Sequence, residues 1–246
     1  MIRAWKRLGE SYWAWRLYHA LVSDAVSLQR PTKFGMVYEY LSDHLGRVAD
    51  IGCGPGVFLR YLCHRATYVF AVERDEAALR RVKARHHDIS NLHCVVTLVG
   101  RLPFADGQLD TVLLLEVLEH LTDDAGGIRE IHRLLVPGGK LVLSVPMPPG
   151  EINGNDPWGH KREGYTLEQL EALLESLGFE IQDHRFAQFK FSRLAERLVR
   201  NWRCWLRLPA PIFLSWVCYL DYLLSSDMRK RGGYLPACIV VMAKKV

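Results

Sequence analysis

Apolar runs alternate with amphipathic runs along most of this chain. The apolar runs have the length of buried strands, whereas the runs between them repeat apolar residues at helical spacing. Such alternation predicts parallel strands joined by right-handed helical crossovers, and therefore an open α/β sheet with helices on both faces. Strands are predicted near 47–52, 67–73, 92–98, 110–115, 139–146, 179–187 and 236–244. Helices are predicted over 55–64, 75–87, 123–135 and 166–177.

Two segments, 1–33 and 188–233, do not follow this alternation. They hold six of the seven tryptophans, so large aromatic surface lies outside the predicted sheet. The second segment is roughly 45 residues long, which exceeds an ordinary connection within a compact domain. We interpret the two segments as one helical cap, the first of them aromatic and basic, on a core that comprises 34–187 and a final strand in 234–246.

The second cap segment contains a basic stripe. Its arginines recur every three or four residues and would share one side of a helix, beside tryptophans and leucines: Arg193, Arg197, Arg200, Arg203 and Arg207. The mostly apolar run 212–224 that follows is shorter than the roughly 20 residues that span a bilayer. Two interpretations stay open: the helix lies on an anionic membrane surface, or it packs on the protein with solvated arginines.

Composition sets wider bounds. With 246 residues, 49% of them apolar, the chain can bury a full core as one enlarged domain or as two. The six cysteines form no Cys-x-x-Cys pair, and no secretory pattern opens the chain. We therefore expect reduced thiols and a cytoplasmic protein, either free or bound peripherally to a membrane. No cluster of metal ligands is evident in the sequence, and no metal is predicted.

The strand-to-helix junction at 48–56 is the strongest candidate for a ligand site. An apolar strand runs into Asp50 and is followed by Gly52, Gly54 and Gly56. Glycine admits backbone angles closed to other residues and lets a ligand approach the main chain, and the next helix offers unpaired N–H groups. The dinucleotide fingerprint is Gly-x-Gly-x-x-Gly, whereas this spacing is Asp-x-Gly-x-Gly-x-Gly. A tight turn without a ligand is the alternative.

Four ordered motifs carry a family resemblance: the glycine stretch, the strand 68–72 that ends on Glu73, the stretch 102–121 with LPFADGQLD and LEHL, and the turn 133–139 (RLLVPGG). The chain resembles the class I S-adenosylmethionine-dependent methyltransferases, in particular the type 11-like subfamily that acts on small molecules and lipids. The resemblance covers roughly 48–187 and the last strand. It implies a seven-stranded, mostly parallel Rossmann-like methyltransferase sheet with an antiparallel final strand, and S-adenosyl-L-methionine as the cofactor.

The resemblance also implies a cofactor site. Glu73 ends the second strand and could accept hydrogen bonds from both ribose hydroxyls, although it could instead be a helix-start acid. Many relatives hold the adenine with an acid at the place of Leu98, so here the backbone near 100–102 would do so. The backbone at the end of the fourth strand would face the methionyl part. The predicted cofactor-binding residues are Asp50, Gly52, Cys53, Gly54, Gly56, Glu73, Arg74, Gly100, Arg101, Leu102, Leu115, Glu116 and Val117.

His120 and His160 are the candidate catalytic bases. A neutral imidazole can accept a proton from an acceptor hydroxyl at cell pH. His160 lies in a polar loop after the fifth strand, where acceptor chemistry is common. The alternatives are a histidine packed at a helix start for His120 and an exposed loop histidine for His160.

The predicted function is methyl transfer to a small-molecule or lipid-linked acceptor. Oxygen is preferred over carbon or nitrogen as the methylated atom. The 188–233 insertion would emerge beside the cofactor, which favours an amphiphilic acceptor. A catalytically inactive methyltransferase-like binding protein and a nicotinamide-dependent oxidoreductase are the alternatives. No nucleic acid is expected, because no Asn/Asp-Pro-Pro-Tyr/Phe motif ends the fourth strand.

Overall fold

The computed structural model of the chain describes residues 36–41, 44–100, 102–148, 159–187 and 238–246. Both segments of the predicted cap, 1–33 and 188–233, lie outside the described residues, and so does the arginine stripe. Residues Val37–Arg185 and Cys238–Val246 form one compact unit. This unit contains the sheet on which the candidate site is built.

A seven-stranded mixed sheet organises the unit, which confirms the predicted α/β class. The strands stand in the order β3-β2-β1-β4-β5-β7-β6. Strand β1 pairs in parallel with β2 and β4, and the pairs β2–β3 and β4–β5 are also parallel, whereas β7 runs antiparallel to β5. The strands are β1 (Gly46–Ile51), β2 (Ala66–Glu73), β3 (Leu92–Val96), β4 (Leu109–Leu115), β5 (Leu135–Pro146), β6 (Phe179–Ala187) and β7 (Cys238–Lys245).

Most of the α-helices described between the strands begin at a side-chain cap that the sequence supplies. They are α1 (Leu59–Cys63), α2 (Glu76–Arg85), α3 (Asp124–Leu134) and α4 (Leu167–Ser176), with a short 3-10 helix at Leu118–His120. Asp75 and Asp123 cap α2 and α3 through their carboxylates, and Thr166 opens α4 with a capping box. Gly178 follows α4 with φ +81°, the left-handed conformation in which a glycine commonly ends a helix.

Several element boundaries differ from the prediction, among them those of α1, β3 and β5. Helix α1 begins at Leu59 rather than at 55, because Gly54 and Gly56 have positive φ, which an α-helix does not admit. Strand β3 ends at Val96, where its partner β2 also ends at Glu73. Strand β5 begins at Leu135, which pairs with Leu109 before a register irregularity absorbs the Pro-Gly-Gly residues.

The core lies along the central strands. Strands β1, β4 and β5 are buried over most of their length, as continuous apolar strands covered on both faces should be. At the amino ends of β1 and β4, the Arg47 guanidinium forms an ion pair with Asp110, with Nε 2.8 Å from Oδ2. The parallel pairing of β1 with β2 and β4 places the carboxyl ends of these three strands beside one another at the opposite edge.

Candidate functional site

The candidate site lies at the carboxyl ends of β1, β2 and β4. The next strand in sequence, β2, pairs with β1 on one side, and β4 pairs with β1 on the other side. The chain thus leaves β1 in one direction and returns on the opposite side, which opens a crevice where ligands bind in open α/β sheets. Most of the predicted cofactor residues that the structure describes end or follow one of these strands, whereas Gly100 and Leu102 follow β3.

The glycine loop 52–56 folds over the end of β2. The N–H groups of Gly52 and Cys53 both donate to the Val72 carbonyl, at 2.8 and 3.1 Å, and the N–H of Gly56 donates back to the Cys53 carbonyl at 2.9 Å. Gly52, Gly54 and Gly56 have φ of +73°, +51° and +75°. These positive angles explain why glycine stands at each alternate position.

The three glycines have different surroundings. A Cβ at Gly52 would lie 2.3 Å from Val117 Cγ2, and a Cβ at Gly56 would lie 2.7 Å from Leu59 Cδ1. These two positions are glycine because neighbouring side chains pack directly on them. A Cβ at Gly54 would meet nothing within 4 Å. Gly54 therefore presents its backbone to open space, which is the surface that a ligand can approach.

Glu73 holds this loop and the start of α2 together. Its Oε2 accepts the Gly54 N–H at 3.1 Å, while Oε1 accepts the N–H groups of Arg74 and Asp75 at 2.8 and 3.2 Å. An ionised carboxylate has about four acceptor positions, so roughly one is left for a ligand hydroxyl. The helix-start role considered for Glu73 is present in the structure, and ribose binding by Glu73 stays a prediction.

Asp50 is an ionisable group inside the core. It is 3% exposed, and burial raises the pKa of its carboxyl to about 7, with the nearby Glu73 carboxylate contributing in the same direction. A cationic ligand beside Asp50 would favour the ionised form. Burial also raises the pKa of the Cys53 thiol, which is consequently neutral at cell pH.

At the end of β4 the chain turns through a residue with a strained backbone conformation. Glu116 has φ +56°, and no other non-glycine residue in the described part of the chain has a positive φ. Its N–H donates to the Ser144 carbonyl, and its Oε1 accepts from the Ser144 hydroxyl, both at 2.9 Å. Backbone strain of this kind is concentrated at functional sites. The turn directs Val117 onto Gly52 and starts the 3-10 helix that carries His120.

The two predicted catalytic histidines come together. Their rings stack with centroids 4.6 Å apart and planes inclined by 25°. The Lys161 N–H donates to the Glu119 carbonyl at 2.8 Å, and the Arg162 guanidinium donates to the Leu121 carbonyl at 2.8 Å and forms an ion pair with Asp124. These contacts hold the segment that follows β5 against the 3-10 helix.

Glu119 is a residue of this cluster that the sequence analysis did not select. It is 1% exposed, and the ligand atoms of Glu119, His120 and His160 all lie within 4.8 Å of one another. Two imidazoles and a carboxylate form a donor set that could hold a metal ion. Glu119 and His120 are adjacent in sequence, but His160 follows forty positions later, so only the fold reveals the group.

Part of the backbone that was predicted to contact the adenine is already hydrogen-bonded within the protein. The Leu102 N–H donates to Glu130 Oε1 at 2.9 Å, and the Arg133 guanidinium donates to the Phe104 carbonyl at 3.0 Å. Gly100 has nothing within 4 Å of its Cβ position, and Leu98 is 66% exposed. Arg101 lies outside the described residues. Because the Leu102 N–H is already hydrogen-bonded, we expect the backbone of Gly100, rather than the Leu102 N–H, to contact the adenine.

In the described part of the chain, no helix combines the length and apolar character that crossing a bilayer requires.

Comparison with known proteins agrees with this geometry. Residues 49–143 match the model of a family described as "Methyltransferase domain". A protein of Mycolicibacterium smegmatis, named as a probable S-adenosylmethionine-dependent methyltransferase, is 34% identical over 154 residues, which cover 60% of this chain and 58% of that protein. The ubiquinone biosynthesis O-methyltransferase of Pseudomonas aeruginosa is 37% identical over 103 residues, which cover 40% of this chain and 44% of that protein.

The chain thus spans about half the length of the curated relatives that it matches. Among solved structures, the N-methyltransferase NodS of Bradyrhizobium japonicum, in complex with S-adenosyl-L-homocysteine, aligns with a TM-score of 0.60 at 16% identity. The alignment covers 99% of this chain and 97% of that one. At this identity the likeness shows a shared fold.

Proposed function

We propose that this chain, a member of the class I S-adenosylmethionine-dependent methyltransferases, transfers a methyl group from S-adenosyl-L-methionine to an oxygen of a small-molecule or lipid-linked acceptor. The observation that carries the proposal is the open backbone of Gly54, whose N–H donates to the Glu73 carboxylate. The relatives named as O-methyltransferases support oxygen as the methylated atom.

The residues at the crevice fit the cofactor. The open Gly54 position would accept a ligand against the main chain, and the buried Asp50 carboxyl would gain a cationic partner in an ammonium group, directly or through water. Glu73 has acceptor capacity left for a ribose hydroxyl. When bound, S-adenosyl-L-methionine supplies an activated methyl group, so the protein needs to align the reactants and exclude water.

His120 and His160 are the residues that we propose bind and activate the acceptor hydroxyl. Gly52 is packed against Val117, so the 3-10 helix bearing His120 starts beside the glycine loop. The stacked pair lies where the segment after β5 meets that helix. An acceptor bound against the pair would share the carboxyl edge of the sheet with the cofactor.

A lipid-linked acceptor and peripheral membrane binding in the cytoplasm are the finer parts of the proposal. They rest on the sequence of 188–233, in which five arginines recur at helical spacing beside tryptophans. Co-sedimentation of the intact chain with anionic vesicles at low salt tests this part. Protein that stays in the supernatant would contradict membrane binding and leave the proposed reaction untouched.

Transfer of an isotope-labelled methyl group tests the reaction itself. The intact chain, with labelled S-adenosyl-L-methionine, is expected to label one compound in an extract of hydroxylated small molecules and lipids. A His160→Ala variant should still bind S-adenosyl-L-homocysteine but lose most of the transfer. The surface variant His87→Ala provides the control, because His87 is exposed and contacts only the Ala84 carbonyl through its ring among the described contacts. Equal transfer by wild type and His160→Ala would contradict the assigned role.

A further inference from the structure

We propose that Glu119, His120 and His160 bind one divalent transition-metal cation on the acceptor side of the crevice. The binding site itself follows from the arrangement of these three residues. Its role in holding the acceptor oxygen rests on the proposed function.

The spacing of the three side chains suits a single ion. Their ligand atoms lie within 4.8 Å of one another. Nitrogen and oxygen ligands bind ions such as Zn²⁺ at about 2.0–2.2 Å, so two ligands on opposite sides of one ion are about 4.2 Å apart. Binding of an ion would therefore require the side chains to close a small remaining gap. The Lys161 N–H already holds the His160 segment against the Glu119 carbonyl.

Burial and charge favour a cation at this place. Glu119 is 1% exposed, and a buried carboxylate is costly unless a positive charge or hydrogen bonds offset the lost hydration. A divalent ion between Glu119 and the two imidazoles would offset the charge of the carboxylate.

The partial exposure of both histidines gives the site its open side. His120 and His160 are each half-buried, whereas Glu119 is enclosed. Three protein ligands on one side leave one or more coordination positions for water or a substrate oxygen, as in catalytic rather than structural sites. The acceptor would then be a compound with a hydroxyl, carboxylate or phosphate oxygen able to bind the ion. Two imidazoles and one carboxylate suit Zn²⁺, Co²⁺, Fe²⁺ or Mn²⁺ better than Mg²⁺ or Ca²⁺.

Titration of the intact, metal-stripped and tag-free chain with Co²⁺, followed by its visible absorption, tests the site. One equivalent of Co²⁺ should bind saturably, and Zn²⁺ should displace it. Loss of a directly bound ligand should weaken binding by more than the ten- to hundredfold typical of outer-shell changes. We therefore expect at least about a hundredfold loss in His160→Ala and in Glu119→Gln. The surface control His87→Ala should bind Co²⁺ like the wild type.

Binding of S-adenosyl-L-homocysteine, measured on the same samples, separates this proposal from the proposed function. Retained cofactor binding with no saturable Co²⁺ binding would overturn the metal site alone. Co²⁺ binding that survives in His160→Ala would also overturn it, because this half-exposed residue can be removed without disturbing the core. Co²⁺ binding that is lost in His160→Ala would support the site even in a chain that binds no cofactor.

Discussion

Replacing Asp50 by asparagine should stabilise the unliganded protein, and increasingly so as the pH rises. In the folded chain, burial and the Glu73 carboxylate raise the pKa of Asp50 from 3.8 to about 7. The unfolded chain ionises this group near its ordinary value. Between these two values the folded state binds more protons than the unfolded state, so the free energy of unfolding falls as the pH rises. Asparagine does not titrate, so the Asp50→Asn variant should not show this fall in the free energy of unfolding.

The size of the effect follows from the two pKa values. Each pKa unit is worth about 1.4 kcal/mol, so a rise from 3.8 to about 7 costs the fold up to about 4 kcal/mol once Asp50 is ionised. At about pH 5 the cost is only roughly 1–2 kcal/mol, because the unfolded carboxyl is ionised while the folded one is still protonated. The advantage of Asp50→Asn over wild type should therefore grow by about 2–3 kcal/mol between about pH 5 and pH 8.

Urea unfolding of both proteins at several pH values, without cofactor, measures this growth. A constant difference between asparagine and aspartic acid in packing or hydrogen bonding cancels in the comparison across pH. Asp110→Asn is the matched control, since the Arg47 guanidinium lowers the pKa of Asp110. This carboxylate stabilises the fold above its ordinary pKa, so the control should lose stability at neutral pH. A difference between Asp50→Asn and wild type that stays flat with pH would refute the reasoning.

Three other predictions follow from the crevice and the core. Gly54→Ala should weaken the binding of S-adenosyl-L-homocysteine more than about tenfold, as measured by calorimetry. Gly138 also has a positive φ, of +72°, and open space at its Cβ position. Gly138→Ala should therefore cause the same backbone strain of about 1 kcal/mol without weakening the binding. Unchanged affinity in Gly54→Ala would contradict the ligand position. Glu73→Gln should weaken the same binding and loosen the loop, which faster amide exchange at Gly54 would report. Because burial lowers the pKa of His86, wild type should lose stability below about pH 6.5, and His86→Phe should lose less on acid titration.

The sequence predicted the fold and the positions of its motifs well because each depended on local physics. Short continuous apolar runs bounded by turns favour buried strands over helices. Thr166 with Gln169 encodes the start of α4 through a capping box. The antiparallel last strand came from the family resemblance. The boundaries that moved, at α1 and β5, depended on the conformation of Gly54 and on pairing with Leu109, which no local pattern contains.

The candidate site was predictable where its residues lie in one motif. Asp50, Gly54 and Glu73 follow strands that the pattern already placed at one edge of the sheet, and the structure brings them together. Glu119 was not predicted, because its significance depends on His160, which the fold brings back from a distant segment. The hydrogen bond from the Leu102 N–H to Glu130 was likewise not predictable, because it joins two residues that are distant in sequence.

Calorimetric titration of S-adenosyl-L-homocysteine into the intact chain measures cofactor binding at the glycine loop. One molecule is expected to bind saturably per chain, with an affinity weakened by Gly54→Ala and unaffected by Gly138→Ala. A chain that is folded but binds no S-adenosyl-L-homocysteine, or that binds it equally well in both variants, would contradict the claim that the open backbone of Gly54 receives the methyl donor.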